Sequence, residues 1–182
     1  SMPAPGTSPA PHAHCSEEIK KHVNIPVATV ARINEPWVAE ELIENGKCDM
    51  CMIGRANLCD SEFANKAFEG KTDDIRPCIG CGRCLTGIMM GKRISCTVNP
   101  SVEDDTVEKA AEKKKVLVIG GGPAGMEAAY VAHQRGHEVV LCEKSNELGG
   151  QLRIAAVPIA KQELCRVIKY MKRRLDNAGI EV

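Results

Sequence analysis

The sequence predicts an α/β fold built from two strand–helix–strand units with a cysteine-rich segment between them. Short apolar runs rich in β-branched residues, at 25–33 and 116–119, are typical of buried strands. Each run is followed by a stretch with helical spacing and then by a second apolar run. Strand, helix and strand in this order form the repeating unit of a parallel α/β fold.

In the first unit, a loop through residue 14 precedes a predicted helix over residues 16–22, with Ser16 as its N-cap. A strand follows over 25–33, then a helix over 34–45 and a second strand over 48–55. The spacing predicts that the second helix buries four apolar side chains, those of Trp37, Val38, Leu42 and Ile43.

Cys48 and Cys51 form a C-x2-C pair that could suggest redox chemistry. Residues an odd number apart on a strand point to opposite faces, so we expect these two sulfurs to diverge. The pair is therefore interpreted as two small core residues. The same interpretation applies to four other cysteines, at Cys15, Cys59, Cys142 and Cys165.

The second unit begins after a charged segment over 107–115, which we interpret either as a linker helix or as a lead-in, an irregular segment that leads into the next strand. A strand is predicted over 116–119, a helix over 123–135 and a strand over 138–143. A last helix over about 161–177 leads to the beginning of a further strand at 180–182.

Composition excludes several kinds of partner. The 24 basic and 24 acidic residues balance, and only 3% of residues are aromatic, so nucleic-acid binding is not indicated. No apolar run reaches membrane-spanning length, and the first residues do not resemble a signal peptide. With ten cysteines and no export signal, the chain is predicted to be cytoplasmic, with neither nucleic acid nor membrane as partner.

Four cysteines form the pattern C-x2-C-x2-C-x11-C, at Cys78, Cys81, Cys84 and Cys96. Structural zinc usually takes two separated C-x2-C pairs. Here three ligands fall in one run and a fourth returns later, as in ferredoxin-like runs, which favours a [4Fe–4S] cluster over zinc or disulfides. Residues 73–104 show little apolar periodicity, so we expect a metal centre to order them.

A glycine-rich turn predicts a dinucleotide site. Gly120-x-Gly122-x-x-Gly125 follows an apolar strand and opens a helix, and Glu143 ends the next strand 18 residues after Gly125. Such glycines let a pyrophosphate approach the helix N-terminus, while the acid binds ribose hydroxyls and repels a 2′-phosphate. We therefore expect FAD or ADP rather than NADP, held by Gly120, Gly122, Pro123, Ala124, Gly125, Glu143, Lys144, Gly150 and Gln151.

Arg32 and Arg55 each follow a buried strand at its C-terminal end. In a (β/α)8 barrel the active site lies at the rim formed by the C-terminal ends of the strands, and the last two βα loops often bind phosphate. Either arginine alone could instead pair with surface acids. Their equivalent positions favour a phosphate site that includes the backbone of Ala31 and Gly54.

Five stretches, taken in order, resemble a known family: PVATVARI at 26–33, MIGR at 52–55, DIRPCIGC at 74–81, ISCTVNP at 94–100 and VIGGGPAG at 118–125. The family is the multi-cofactor branch of the old yellow enzymes. It includes 2,4-dienoyl-CoA reductase, 2-enoate reductase, trimethylamine dehydrogenase and related NADH:flavin oxidoreductases. The five stretches together span essentially the whole chain.

The resemblance implies three parts: the C-terminal end of an FMN-binding (β/α)8 TIM barrel at residues 1–70, a [4Fe–4S] connector at 71–110, and the first half of a Rossmann-like FAD-binding domain at 111–182. The chain would be an internal segment that is stable only beside the remainder of the same polypeptide. The family's proton donors lie on earlier strands, so no catalytic residue is assigned here.

The resemblance also implies a function, the reduction of an activated C=C bond in an enoate or enoyl-CoA by electrons passed from NADH to FAD, the cluster and FMN. Two alternatives remain open. One is an amine dehydrogenase, whose nucleotide domain need hold only ADP, and the other is a truncated product without turnover. We expect no turnover from the isolated 182 residues. A homo-oligomer is possible.

Overall fold

A computed structural model describes residues 6–104 and 106–182 of the chain. The first five residues of the predicted N-terminal loop, and residue 105 of the predicted connector, lie outside the described residues. The structure confirms an α/β fold and divides into two compact units, residues 1–103 and 104–182. Within the described residues, no helix combines the length and the apolar character needed to cross a membrane.

Both units combine helices with strands. The helices are α1 (Ala13–Lys20), α2 (Pro36–Glu44), α3 (Arg55–Cys59), α4 (Phe63–Phe68), α5 (Arg83–Met89), α6 (Pro123–Gln134), α7 (Gln151–Ala155) and α8 (Glu163–Asn177). The strands are β1 (Ala28–Val30), β2 (Met50–Met52), β3 (Lys115–Ile119) and β4 (Glu138–Cys142).

The first unit contains one parallel strand pair, in which Ala28 of β1 lies opposite Met50 of β2. Helix α2 connects the two strands, as the parallel arrangement requires. A small core of buried side chains in this unit includes Ile33, Val38 and Leu42. Both strands are shorter than predicted, at three residues each.

Three predictions for the helices of this unit are wrong. Helix α1 begins three residues before Ser16, whose hydroxyl donates to the carbonyl of Ala13 at 2.8 Å instead of capping the helix. Trp37 is 55% exposed and Ile43 47% exposed, although Val38 and Leu42 are buried as expected. Trp37 and Ile43 each neighbour a buried residue in sequence, so the helix turns their side chains away from its single core stripe.

The prediction that the sulfurs of Cys48 and Cys51 diverge is also wrong, because they lie 3.8 Å apart. Strand β2 begins only at Met50, so Cys48 precedes it and the strand alternation does not apply. Cys48 is buried and Cys51 half-buried, and burial raises the pKa of the Cys51 thiol to about 11.

In the second unit, β3 and β4 pair in parallel from Lys115–Glu138 to Ile119–Cys142, with α6 as the connection. The amide of Leu141 donates to the carbonyl of Glu181 at 2.8 Å, and Val140 and Glu181 form an isolated parallel bridge at the position of the predicted further strand. Residues 106–114 contain no helix and form a lead-in. The core of this unit consists of fully buried side chains from α6, β4 and α8, among them Met126, Ala129, Leu141 and Leu175.

Candidate functional site

One pocket in the first unit is lined by all four cysteines of the motif, Cys78, Cys81, Cys84 and Cys96. Cys78 and Cys81 lie on the loop before α5, Cys84 lies in the first turn of that helix, and Cys96 returns from the segment after it. Gly82 has φ 76° at the N-cap, and this left-handed turn directs the chain into α5. Folding therefore brings the predicted ligands together around one space.

The four thiols differ in exposure: Cys84 is buried, Cys78 and Cys96 are half-buried, and Cys81 is exposed. The pocket walls between them include the apolar side chains of Leu58, Ile79 and Val98. Among the described residues, no three His, Cys, Asp or Glu side chains are grouped closely enough to bind a single metal ion. The cysteines surround a pocket and do not converge on one point.

A fifth thiol, that of Cys59 at the end of α3, is fully buried. The Cys59 thiol, followed by the backbone amides of Asn99 and Val98, lowers the pKa of the Cys96 thiol to about 5, although burial opposes the shift. Cys96 and burial in turn raise the pKa of Cys59. No spacing in the sequence links Cys59 to the motif.

Ala31 and Arg32, both predicted to hold a phosphate, have positive φ angles of 98° and 50°. Consecutive non-glycine residues in this region are strained, and such strain clusters at functional sites. Arg32 is only 6% exposed. A Cβ atom at Gly80 would lie 2.6 Å from Arg32 Nη1, so the guanidinium packs directly against the loop between Cys78 and Cys81.

Arg55, the second predicted phosphate ligand, is the first residue of α3 and follows Gly54 at the N-cap. Its Nη1 donates to the carbonyl of Gly80 at 3.5 Å, and its side chain lines the cysteine pocket. Arg32 and Arg55 therefore meet the same glycine of the cysteine loop. The sequence did not predict that the arginine pair and the cysteine motif share this contact.

The glycine-rich turn lies between β3 and α6, with Gly122 as the N-cap and Pro123 as the first helical residue. A Cβ atom at Gly125 would lie 1.9 Å from the carbonyl oxygen of Gly120. Gly125 therefore lets the first turn of α6 pack on the end of β3. At Gly122 nothing lies within 4 Å of the corresponding position, so that glycine borders open space.

Glu143 follows β4 and lies beside this turn. Its Oε2 accepts a hydrogen bond from the amide of Gly121 at 2.7 Å, and its Oε1 accepts one from the amide of Ser145 at 2.9 Å. The backbone amides of Ser145 and then Gly121 lower the pKa of the carboxyl. Glu143 is thus held as a carboxylate at the edge of the turn.

A second pair of glycines approaches the same turn. Gly150, with φ 51°, would place a Cβ atom 3.2 Å from the Cα of Gly122, and the amide of Gly149 donates to the carbonyl of Gly121 at 2.8 Å. Lys144 and Gln151, which are neighbours in sequence of Glu143 and Gly150, are exposed. Of the predicted nucleotide residues, Ala124 is also exposed, in the first turn of α6.

Residues 115–174 match a protein family described as FAD dependent oxidoreductase. A protein named NADH oxidase, from Thermoanaerobacter brockii, is 45% identical over 175 residues, which cover 93% of this chain and 27% of that protein. The bilirubin reductase of Mediterraneibacter gnavus is 43% identical and matches 100% of this chain with 29% of its own length.

Over nearly its whole length the chain is thus similar to NADH- and flavin-type oxidoreductases. The resemblance predicted from its motifs is thereby confirmed. The solved structure of 2-naphthoyl-CoA reductase in complex with 2-naphthoyl-CoA superposes on this chain with a TM-score of 0.92 at 32% identity, over 100% of this chain and 28% of that one. Dehydrogenases of dimethylglycine and of dimethylamine also match, at 31% and 35% identity. The chain spans 27% and 29% of the lengths of its first two relatives.

Proposed function

We propose that this chain is the electron-relay segment of an NADH-dependent flavin and iron–sulfur reductase that acts on activated C=C bonds. The observation that carries the proposal is the pocket lined by Cys78, Cys81, Cys84 and Cys96, on the same chain as a nucleotide-type glycine turn. Names of relatives such as bilirubin reductase and 2-naphthoyl-CoA reductase support a reductase of unsaturated substrates.

The pocket residues fit a [4Fe–4S] cluster. Such clusters are held by four cysteine thiolates, one at each iron, so the sulfurs must surround a volume. The four cysteines of this chain line one pocket in that manner, with three apolar side chains between them. Apolar walls limit solvent access, which is one of the factors that set a cluster's reduction potential.

The arginine region fits the phosphate of FMN. Residues 1–70 would then be the C-terminal end of a (β/α)8 TIM barrel, where the last βα loops bind phosphate. The strained backbone at Ala31 and Arg32 and the N-terminus of α3 at Gly54 and Arg55 would supply amide donors, and the two guanidinium groups would supply charge. In this division the connector occupies residues 71–110.

The glycine turn and Glu143 fit the ADP part of FAD. Residues 111–182 would be the first half of a Rossmann-like domain, with the pyrophosphate over residues 122–125 and the adenosine ribose on Glu143. The open space at Gly122 leaves room for the pyrophosphate. Ribose hydroxyls would donate to the carboxylate, which now accepts from Gly121 and Ser145.

When bound, the flavins would exchange hydride with NADH or substrate, and the cluster would pass single electrons between them. The chain's own residues would fix the distances and potentials of these groups. We further propose an enoate or enoyl-CoA substrate, a cytoplasmic location, and no membrane or nucleic-acid partner. The remainder of the same polypeptide, and in some assemblies a second copy, would complete the enzyme.

The amine dehydrogenases among the relatives favour a second candidate, oxidation of an amine with electrons leaving through the cluster. The two functions differ in the direction of electron flow. We expect the complete gene product, prepared anaerobically, to oxidise NADH when an enoate such as cinnamate is added. Reduction of its flavin by dimethylamine but not by NADH would instead establish the amine function.

Metal analysis and substitution of the proposed ligands test the cluster. The anaerobic protein should hold about four irons and four sulfides per chain. Cys96→Ser should lose them, whereas Cys51→Ser should keep them, because Cys51 contacts Cys48 and Ala39 and does not line the pocket. One zinc without sulfide, or equal loss in the two variants, would contradict the ligand assignment.

A further inference from the structure

The pair formed by Cys48 and Cys51 lies outside the cysteine pocket and has a geometry of its own. The two sulfurs are 3.8 Å apart. A disulfide joins its sulfurs at about 2.0 Å, so bond formation requires these two to approach by roughly 1.8 Å. The contact therefore brings together two thiols that can react with each other.

The pair does not belong to a metal site. Structural zinc takes four protein ligands, so two thiols need further ligands beside them. In the part of the chain that the structure describes, no three His, Cys, Asp or Glu side chains are close enough to hold one metal ion. The chemistry open to two adjacent thiols is then their oxidation to a disulfide.

The segment that carries the pair is anchored at Asp49, between the two cysteines. The amide of Asp49 donates to the carbonyl of Val27 at 2.8 Å, and its Oδ2 accepts from the amide of Val27 at 2.8 Å. Lys20 of α1 donates to Oδ1 of the same carboxylate. Because the middle of the segment is tied to β1 and α1, the folded chain holds the two thiols beside each other.

The two thiols differ in their access to solvent. Cys48 is 1% exposed, whereas Cys51 is half-buried and contacts the carbonyl of Ala39 in α2 at 3.8 Å. A small disulfide in solution can therefore reach Cys51 first, and Cys48 is placed to react only with a sulfur already joined to Cys51. Burial raises the pKa of the Cys51 thiol to about 11, so its thiolate is scarce at neutral pH and the exchange should be slow.

We propose that Cys48 and Cys51 are a redox-active dithiol that small disulfides, such as glutathione disulfide, convert reversibly to an intramolecular disulfide. The Cys51 thiolate attacks glutathione disulfide, forms a mixed disulfide and releases one glutathione thiolate. The Cys48 thiolate then attacks the Cys51 sulfur and releases the second. The two cysteines lose two protons and two electrons, and glutathione disulfide becomes two glutathiones. This inference is independent of the cluster and flavin assignments.

The test uses the complete gene product, prepared anaerobically and incubated to equilibrium with glutathione disulfide in excess over glutathione. Remaining thiols are alkylated, and the peptides are mapped by mass spectrometry. The peptide with Cys48 and Cys51 should be two hydrogens lighter than its reduced form and carry no alkyl group, and excess dithiothreitol should restore both thiols. Cys165, an exposed cysteine of the second unit, is the comparison and should stop at a mixed disulfide with glutathione.

Two variants test the order of attack. Cys48→Ser removes the second thiol, so Cys51 should accumulate as a mixed disulfide with one glutathione. Cys51→Ser should leave Cys48 as an unmodified thiol, because Cys48 is buried. If either variant does not fold, the peptide map of the parent decides alone.

A parent in which Cys51 carries glutathione while Cys48 remains a thiol would overturn the proposal. A parent in which both cysteines remain thiols at equilibrium would do the same. Glutathione on Cys48 in the folded Cys51→Ser variant would overturn the proposed order of attack.

Discussion

Arg55 Nη1 lies 3.5 Å from the carbonyl oxygen of Gly80, which joins an arginine assigned to FMN to the loop that carries Cys78 and Cys81. Arg32 packs against the same glycine from the end of β1. The proposed flavin and cluster sites of the first unit therefore share a structural element. A substitution of either arginine should therefore affect both the FMN site and the cluster site, whereas the second unit should be unaffected.

Replacing Arg55 tests this relationship. In the complete gene product, Arg55→Ala should weaken FMN binding by about 10- to 100-fold, the equivalent of one charge-assisted hydrogen bond of about 1.5–3 kcal/mol. Flavin released by repeated gel filtration should be FMN, with FAD retained as the internal control. Equal loss of both flavins, or full retention of FMN, would contradict the assignment of Arg55.

Gly80→Ala tests the packing between the arginines and the cysteine loop. Gly80 has φ +63°, and an added Cβ would lie 2.6 Å from Arg32 Nη1, so the guanidinium must move. We expect a lower cluster content and weaker FMN binding, measured as iron, sulfide and FMN per chain.

Gly70→Ala is the matched control for that experiment. Gly70 has a similar φ of +73°, but nothing lies within 4 Å of its Cβ position. Both variants incur the cost of a left-handed alanine, about 1–2 kcal/mol. Only Gly80→Ala displaces Arg32. If the two variants lose equal amounts of cluster and FMN, backbone strain is sufficient to explain the loss.

These predictions rest on features that differ in how well the sequence specifies them. The helix predicted over 123–135 is observed as Pro123–Gln134, because glycine and proline mark its ends and its strands flank it directly. Helix α5, at Arg83–Met89, was not predicted, since its seven residues show no long apolar stripe. The glycine pattern that marks α6 lies in the residues next to that helix, whereas the formation of α5 depends on the surrounding loop.

Contacts between distant residues were the least predictable. Cys59 and Cys96 are 37 positions apart, and no spacing rule pairs them. Their influence on each other's pKa depends on how the chain folds between them. The prediction for Cys48 and Cys51 was wrong for a local reason. The apolar run predicted a longer strand than the structure contains, so the rule that predicted diverging sulfurs does not apply to Cys48.

Glu143→Arg should weaken the binding of ADP or FAD, because a carboxylate that accepts hydrogen bonds from hydroxyl groups is replaced by a donor. The loss of the amide contacts from Gly121 and Ser145 would also loosen the turn. Binding can be measured by calorimetry with ADP. Glu112→Arg makes the same charge change at an exposed position of the lead-in and should leave the affinity unchanged. Equal affinity in both variants would remove Glu143 from the site.

The two glycines at the start of α6 should separate folding from binding. At Gly125 an alanine Cβ would lie 1.9 Å from the backbone oxygen of Gly120, which has little freedom to move. Gly125→Ala should therefore lower the free energy of unfolding by about 3 kcal/mol or more, seen as an earlier urea midpoint.

Gly122→Ala should show the opposite combination. Its φ of −73° suits any residue, and its Cβ position is open, so the urea midpoint should stay close to that of the parent. The added methyl group would instead occupy the space proposed for the pyrophosphate, so ADP should bind at least about tenfold more weakly, a difference of about 1.4 kcal/mol. Unchanged ADP affinity in Gly122→Ala would place the nucleotide elsewhere, whatever the stability of Gly125→Ala.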